Sequence, residues 1–84
     1  MTGGEMSRRD RLRRDLLSGQ IPIQARISDV QALYEEAGWE LDRIAGSHYQ
    51  FTKPGKRTEV VAVHGEKVRF EALRKLAKAL QEES

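Results

Sequence analysis

The chain has 84 residues, of which 15 are lysine or arginine, 13 are aspartate or glutamate and none is cysteine. This length allows a single domain with a small apolar core, and the lack of cysteine excludes disulfide bonds and thiolate metal sites. No apolar run approaches the roughly 20 residues that span a bilayer, and the N-terminus lacks the apolar segment of a signal peptide. We therefore expect a cytoplasmic protein with no membrane partner.

The basic residues are clustered, although the net charge is only +2. Such clusters suit a polyanion such as nucleic acid, an acidic protein partner, or simply solvated helix faces. Charge alone leaves these three alternatives open. The clusters are Arg8, Arg9, Arg11, Arg13 and Arg14; then Lys53, Lys56 and Arg57; then Lys67, Arg69, Arg74, Lys75 and Lys78.

The chain begins with a stretch that predicts disorder, followed by a basic helix. Residues 1–6 are small and polar without periodic apolar residues, so we expect them to be disordered. A helix is predicted over residues 7–19, with Ser7 as its N-cap and Gly19 as its stop. We expect it to pack through a narrow apolar stripe and to turn its arginines outward. The stripe consists of Leu12, Leu16 and Leu17.

A second helix is predicted after a connector. Residues 20–26 include Pro22, which discourages helix in the residue before it, so we expect them to be extended. Ser28 and Gln31 have the spacing of a capping box, and Gly38 is placed to end the helix. Apolar residues at helical spacing give this helix one buried face, formed by Val30, Leu33, Tyr34 and Ala37.

Alternating apolar and polar residues then predict three strands. A turn at Gly46 separates the first two. Pro54 and Gly55 stand where a type II turn requires them between the second and the third, and His64 with Gly65 should end the third. The predicted strands cover residues 39–44, 47–52 and 58–63.

A C-terminal helix completes an α, α, β, β, β, α order. This order predicts an α+β two-layer sandwich, in which a three-stranded antiparallel sheet has its helices on one face and its other face open. His48, Gln50 and Thr52 should line the open face, while Tyr49 and Phe51 face the core. The apolar positions of the last helix are Phe70, Leu73, Leu76, Ala77 and Leu80.

His48 is the candidate for chemistry, because a histidine can both accept and donate a proton near neutral pH. The alternative is an ordinary exposed histidine on a strand. No phosphate-binding loop, zinc motif or nucleophile elbow occurs in the sequence. A metal site at His48 and His64 would lack an evident third ligand, so we expect no metal and no cofactor.

A further set of residues carries a family resemblance. These residues are Ala37, Gly38, Trp39, Glu40 and Leu41; Gly46, Ser47 and His48; Val63, His64 and Gly65; and Leu73, Arg74, Lys75 and Leu76. Over residues 28–80 the chain resembles the HicA (YcfA-like) toxins of toxin–antitoxin pairs. Ala62 departs from the family pattern, where a proline is common, and Glu71 with Ala72 replaces a frequent Gly-Thr pair.

This resemblance implies a fold similar to the double-stranded-RNA-binding domain, metal-independent cleavage of mRNA with His48 as the catalytic residue, and a cognate HicB-like antitoxin as partner. One histidine performs only one proton transfer at a time, so water, the substrate or another side chain must perform the second. Proximity in sequence suggests supporting residues that orient the imidazole or bind phosphate. The candidates are Ser47, Gln50, Lys53, Lys56, Arg57, Lys67 and Arg74.

Two other functions remain open at this point. The same fold could serve as a non-catalytic RNA-binding module, recognising RNA by its shape. Alternatively, it could be a protein-interaction domain whose open sheet a partner covers.

Overall fold

The computed structural model describes residues 6–83, which form three helices and five strands. In chain order these are α1 (Arg8–Leu17), β1 (Gln24–Arg26), α2 (Ile27–Glu36), β2 (Glu40–Ala45), β3 (His48–Thr52), β4 (Glu59–His64), β5 (Lys67–Arg69) and α3 (Phe70–Glu83). The strands make one antiparallel sheet in the order β1-β5-β4-β3-β2, with the helices on one side. The α+β class is confirmed. Residues 1–5, which belong to the segment 1–6 expected to be disordered, lie outside the described part of the chain.

The expected three-stranded sheet is wrong, because two three-residue strands extend it to five. β1 lies within the segment expected to be a connector, and its Ala25 pairs with Val68 of β5. β5 follows β4 across a two-residue turn, where His64 pairs with Lys67. Strands this short show no alternation that a sequence pattern can detect. Ala25 and Val68 nevertheless pack into the core on the helix side of the sheet.

The hairpin of β2 and β3 turns one residue later than expected, because β2 ends at Ala45 and β3 begins at His48. β2 continues through Ala45, and its register shifts between Leu41 and Arg43, which marks a β-bulge. Gly46 opens the turn with a φ of +62°, the sign that a type II′ turn requires at its first central position. The hairpin tip extends beyond the helices, since Ile44 is 52% exposed on the helix-facing side.

Ser7 caps α1 as expected, because its Oγ accepts a hydrogen bond from the Asp10 amide at 3.0 Å. Leu12 and Leu16 of this helix are buried. Leu17, expected in the same stripe, is 40% exposed because it lies about 100° further round the helix than Leu16. The helix therefore packs through two leucines rather than three.

The capping box expected at Ser28 and Gln31 is wrong. α2 begins at Ile27 directly after β1, so Ser28 lies in its first turn, and Gln31 donates to Glu35 at 3.1 Å. The Ile27 amide donates to the carbonyl of Glu66, in the turn between β4 and β5, at 2.9 Å. A hydrogen bond to a distant turn thus satisfies the first amide of α2. The local sequence gives no signal of this contact.

Three aromatic side chains form the centre of the core. The rings of Tyr34 and Phe51 stack with their centroids 4.5 Å apart, and Trp39 meets Tyr34 edge-on at 5.7 Å. Burial raises the pKa of Tyr34. Within the described residues, the Tyr34 hydroxyl and the Trp39 indole N–H have no hydrogen-bond partner. The cluster is therefore held by apolar packing.

Tyr49 is less buried than its position in the strand suggests. It faces the helices, but it pairs with Ile44 near the hairpin tip and is only partly covered. Phe51, two residues further on, is fully buried, and Val61 and Val63 complete the same face as expected. These side chains face the helices as predicted, but how deeply each one is buried depends on where the helices end.

Candidate nucleic-acid interface

Alternation along β3 and β4 turns one set of side chains towards the helices and the other set away from them. Phe51, Val61 and Val63 are buried in the core. The side chains between them point to the uncovered side of the sheet, which we call the open face. On these two strands the open face carries His48, Gln50, Thr52, Val60, Ala62 and His64.

The sheet register gives His48 small neighbours on both sides. His48 pairs with Ala45 of β2 and with Ala62 of β4, and its imidazole is exposed. Gln50, the next open-face residue of β3, is half-buried and pairs with Arg43. An imidazole in this position is accessible to a large ligand lying across the sheet.

Cationic side chains from three strands border the histidines. Arg26 pairs with Lys67, and Lys67 pairs with His64, so these three residues form one row across the open face. Arg69 occupies the next open-face position of β5 and is exposed. Arg43 is 69% exposed and lies 3.9 Å from the carboxylate of the preceding aspartate. Such a face attracts phosphates.

Among these cations the sequence predicts only Lys67 as a supporting residue, and it places Arg69 in a basic cluster without a role at the site. The remaining cations reach the open face through features that the alternation of apolar and polar residues does not predict. Arg26 and Arg69 belong to strands too short to predict, and Arg43 reaches the open face because the bulge of β2 reverses its direction.

Ser47 lies next to His48 in the turn between β2 and β3. Its carbonyl accepts a hydrogen bond from the Val63 amide at 2.7 Å, which fixes the start of β3 against β4. Its side chain is exposed. Ser47 and His48 therefore lie at the tip of the β2–β3 hairpin.

The cluster Lys53, Lys56 and Arg57 lies beyond the other end of β3. At about 3.3 Å per residue, the four steps from His48 to Thr52 already separate it from the imidazole by roughly 13 Å. Lys53 donates to the Ala37 carbonyl at 2.8 Å, and Lys56 lies 3.9 Å from the Glu82 carboxylate. Arg57 is exposed. The structure does not bring this cluster together with His48.

Arg74 lies on α3 rather than on the sheet. Its guanidinium carbon is 5.9 Å from the ring centroid of Phe70, one helical turn earlier. Arg74 is exposed, but it is not part of the open face.

The arginines of α1 are largely engaged by carboxylates. Arg9 and Arg13 both reach Glu36 of α2, at 3.0 Å and 2.7 Å. Arg8 lies 3.5 Å from Asp29, also on α2. Arg14 pairs at 3.1 Å with the aspartate that follows it. The contacts of Arg8, Arg9 and Arg13 attach α1 to α2, while the arginine side chains stay largely exposed, as expected from the sequence.

A groove of about 290 Å³ borders the open face along the part of β4 that has no neighbouring strand on the side of β5. β5 pairs with β4 only at Val63 and His64, so the preceding part of the β4 edge faces α3. A second groove, of about 470 Å³, continues along this edge towards Arg57 and shares Val60 and Lys75 with the first. The smaller groove is lined by Val60, Ala62, His64, Arg69, Glu71, Ala72 and Lys75.

Two general features of residues 6–83 complete the description. No three histidine, cysteine, aspartate or glutamate side chains within this range come together as metal ligands would. None of the helices in the same range combines the length and apolar character needed to cross a membrane.

Fold and site together define a small α+β domain that presents histidines and cations on an uncovered sheet. The family model described as the HicA toxin of bacterial toxin–antitoxin systems matches residues 27–81. The chain belongs to this family, and the resemblance seen in the sequence is confirmed. Both α1 and β1 precede the matched region. No curated protein and no solved structure matches the chain.

Proposed function

We propose that this chain is a toxin that cleaves mRNA without a metal ion, with His48 performing a proton transfer at the scissile phosphate. The observation that supports this function best is the position of His48, exposed at the start of β3 on the open face, with Arg43 on the neighbouring strand β2 and Arg69 two strands away on β5. RNA supplies the phosphate that these cations attract and the 2′-hydroxyl that a histidine can deprotonate.

The chemistry needs three contributions. The 2′-hydroxyl loses a proton, the departing 5′-oxygen gains one, and the charge that develops on the phosphate oxygens is stabilised. His48 serves one of the two proton transfers, and the neighbouring arginines stabilise the charge. Ser47 and Gln50, on either side of His48 in the sequence, are placed to hold a phosphate oxygen or to orient the imidazole.

We also propose that residues 27–81 share the fold of the double-stranded-RNA-binding domain. Support comes from the order α2, β2, β3, β4 and, after the three-residue β5, α3, with both helices on one side of the antiparallel sheet. We propose that RNA contacts the open face, because this face carries His48 and the exposed Arg43 and Arg69. Lys53, Lys56, Arg57, Lys67 and Arg74 remain proposed RNA contacts, with Lys67 the nearest of them to a histidine.

Membership of a toxin–antitoxin family implies an antitoxin, which we propose is a HicB-like protein acting in the cytoplasm. A protein that neutralises the toxin has to deny RNA access to His48. The open face offers it a broad surface with exposed cations and one exposed apolar side chain, Val60, which is 44% exposed. Acidic side chains on the antitoxin would complement this surface.

The test is cleavage of a labelled RNA by the purified protein, in buffer with a chelator, comparing wild type with His48→Ala. We expect wild type to cut and the variant to lose 10²-fold or more of the rate, the contribution typical of a proton-transfer group. Thermal melts should agree within the range expected for a surface substitution, about ±0.5 kcal/mol. Equal rates for the two proteins would refute the assignment of His48, and intact RNA with both would refute the nuclease function.

The antitoxin proposal has its own test. Expression of wild type alone should arrest growth, and co-expression with the neighbouring reading frame should restore growth and yield a complex. Growth arrest by His48→Ala to the same extent as by wild type would contradict an RNA-cleaving toxin.

A further inference from the structure

The proposed cleavage needs two proton transfers, and His48 can perform only one of them in a single turnover. The second group must reach the same phosphate from the opposite side, because the attacking and leaving oxygens lie roughly in line. A side chain on the same face of the sheet as His48, one or two positions away, meets this geometric condition. Within the described residues, the open face carries a second histidine.

The register of the sheet places His64 diagonally across from His48. His48 pairs with Ala62, and His64 lies two residues beyond Ala62 on β4, so both imidazoles belong to the open face. Diagonal neighbours of this kind in antiparallel strands are about 7–8 Å apart. The separation leaves room for one phosphodiester between the two rings.

The surroundings of His64 keep the space between the two rings accessible. Continuing the register beyond Ser47 and Val63 brings Gly46 opposite His64, and Gly46 has no side chain. A Cβ placed on Gly46 would meet no atom within 4 Å. His64 itself is exposed and lines the smaller groove. A strand of RNA lying across this corner of the sheet can therefore touch both imidazoles.

The charged groups around the pair match a phosphate ligand. His64 pairs with Lys67, and it shares the groove with Arg69, Lys75 and Glu71. Arg43 is the nearest cation on the other side of His48, through its pairing with Gln50. Four cations thus surround the two histidines, against two carboxylates, Glu71 in the groove and Asp42 beside Arg43, so positive charge prevails as a phosphodiester requires.

We propose that His48 and His64 divide the two proton transfers, one as general base and the other as general acid; this inference rests on the proposed function. The neutral imidazole takes the proton of the 2′-hydroxyl while the 2′-oxygen forms a bond to phosphorus. The bond from phosphorus to the 5′-oxygen breaks, and the protonated imidazole gives its proton to that oxygen. The products are a 2′,3′-cyclic phosphate and a 5′-hydroxyl, and exchange with water restores both rings.

The first measurement compares single-turnover cleavage of a labelled single-stranded RNA by wild type, His48→Ala and His64→Ala. Gln81→Ala, at an exposed position of α3 away from the open face, is the matched surface control. We expect both histidine variants to lose 10²–10⁴-fold in rate and to melt like wild type. His64→Ala with the wild-type rate would overturn the inference. Cleavage by wild type that also persists in His48→Ala would instead overturn the proposed role of His48.

The second measurement distinguishes proton transfer from simple binding. The RNA carries a 5′-bridging sulfur at the bond that wild type cuts, because a thiolate leaves without needing a proton. The variant that lacks the general acid should cut this substrate at nearly the wild-type rate, and the variant that lacks the general base should stay slow. Rescue of one histidine variant and not the other is expected, and it also assigns the two roles. Rescue of both variants, or of neither, would contradict a division of the proton transfers between them.

Discussion

The ammonium group of Lys53 donates a hydrogen bond to the carbonyl of Ala37 at 2.8 Å, joining the turn after β3 to the end of α2. The last carbonyls of a helix have no partner within the helix, so this contact satisfies one of them with a cation where the helix dipole favours it. Lys53 is only partly exposed. Lys53 therefore stabilises the fold, although it belongs to a cluster of basic residues.

We expect Lys53→Met to destabilise the protein by about 1.5–3 kcal/mol, the usual range for a hydrogen bond to a charged group. Methionine keeps most of the length of the side chain and removes the donor. Chemical denaturation should detect the change. Arg57→Gln, in the same basic cluster but exposed, is the control and should stay within about ±0.5 kcal/mol. Equal stability of Lys53→Met and wild type would show that the helix end does not need this donor.

A second prediction separates the two aromatic residues of β3. Phe51 is fully buried and stacks on Tyr34, so we expect Phe51→Ala to reduce the free energy of unfolding by about 3–5 kcal/mol. Tyr49→Ala should reduce it less, because Tyr49 is only partly covered near the hairpin tip. Urea denaturation of both variants measures the difference. A larger loss for Tyr49→Ala would place the tip of the hairpin inside the core.

These two residues also show what the sequence can predict here. Alternation along β3 correctly gives the directions of Tyr49 and Phe51, because a strand has only two sides. The depth to which each is buried depends on how far the helices extend over the sheet. That is a tertiary property, and no local pattern contains it.

The parts that could not be predicted from the sequence have identifiable physical reasons. The bulge between Leu41 and Arg43 reverses the direction of Arg43, so strict alternation sends this arginine towards the core instead of the open face. β1 and β5 are too short for a periodic signal. The hairpin between β4 and β5 does have a local sequence signal. Gly65 has a φ of +66° and comes before Glu66 in the turn, so this is the same glycine-first turn as at Gly46.

The lowered pKa of Asp10 predicts how the stability of the protein changes with pH. A hydrogen bond from the Ser7 side chain, and then the positive charge of Arg13, lower the pKa of the Asp10 carboxyl below 3.8. A carboxyl with a lowered pKa in the folded state stabilises the fold above its unfolded pKa, and this contribution is lost as the pH falls through the folded pKa. Acid therefore weakens the first turn of α1.

Replacing Asp10 by asparagine removes the charge but keeps the size of the side chain. We expect Asp10→Asn to melt at a lower temperature than wild type at pH 7, and the difference between the two proteins to shrink as the pH falls below 3.8. Thermal melts across this range provide the measurement. A difference that stays constant with pH would attribute the effect to packing rather than to charge.

The last prediction tests which cations bind RNA. Arg43 and Arg69 lie on the open face with the histidines, whereas Lys56 and Arg57 lie beyond the far end of β3. The affinity of a protein for single-stranded RNA falls with salt by a logarithmic slope of about 0.7 for each phosphate contact. Replacing both Arg43 and Arg69 by glutamine should therefore weaken binding and reduce the slope by about 1.4, if each contacts one phosphate.

The matched variant replaces Lys56 and Arg57 by glutamine, which removes the same two charges from the protein. The two variants have equal net charge, so a purely long-range attraction would weaken both equally. We expect the open-face variant to lose more affinity and more of the salt slope, measured by titrating a labelled RNA in a background that carries His48→Ala to prevent cleavage. The opposite order would move the RNA-binding surface to the turn between β3 and β4 and to the larger groove beside it.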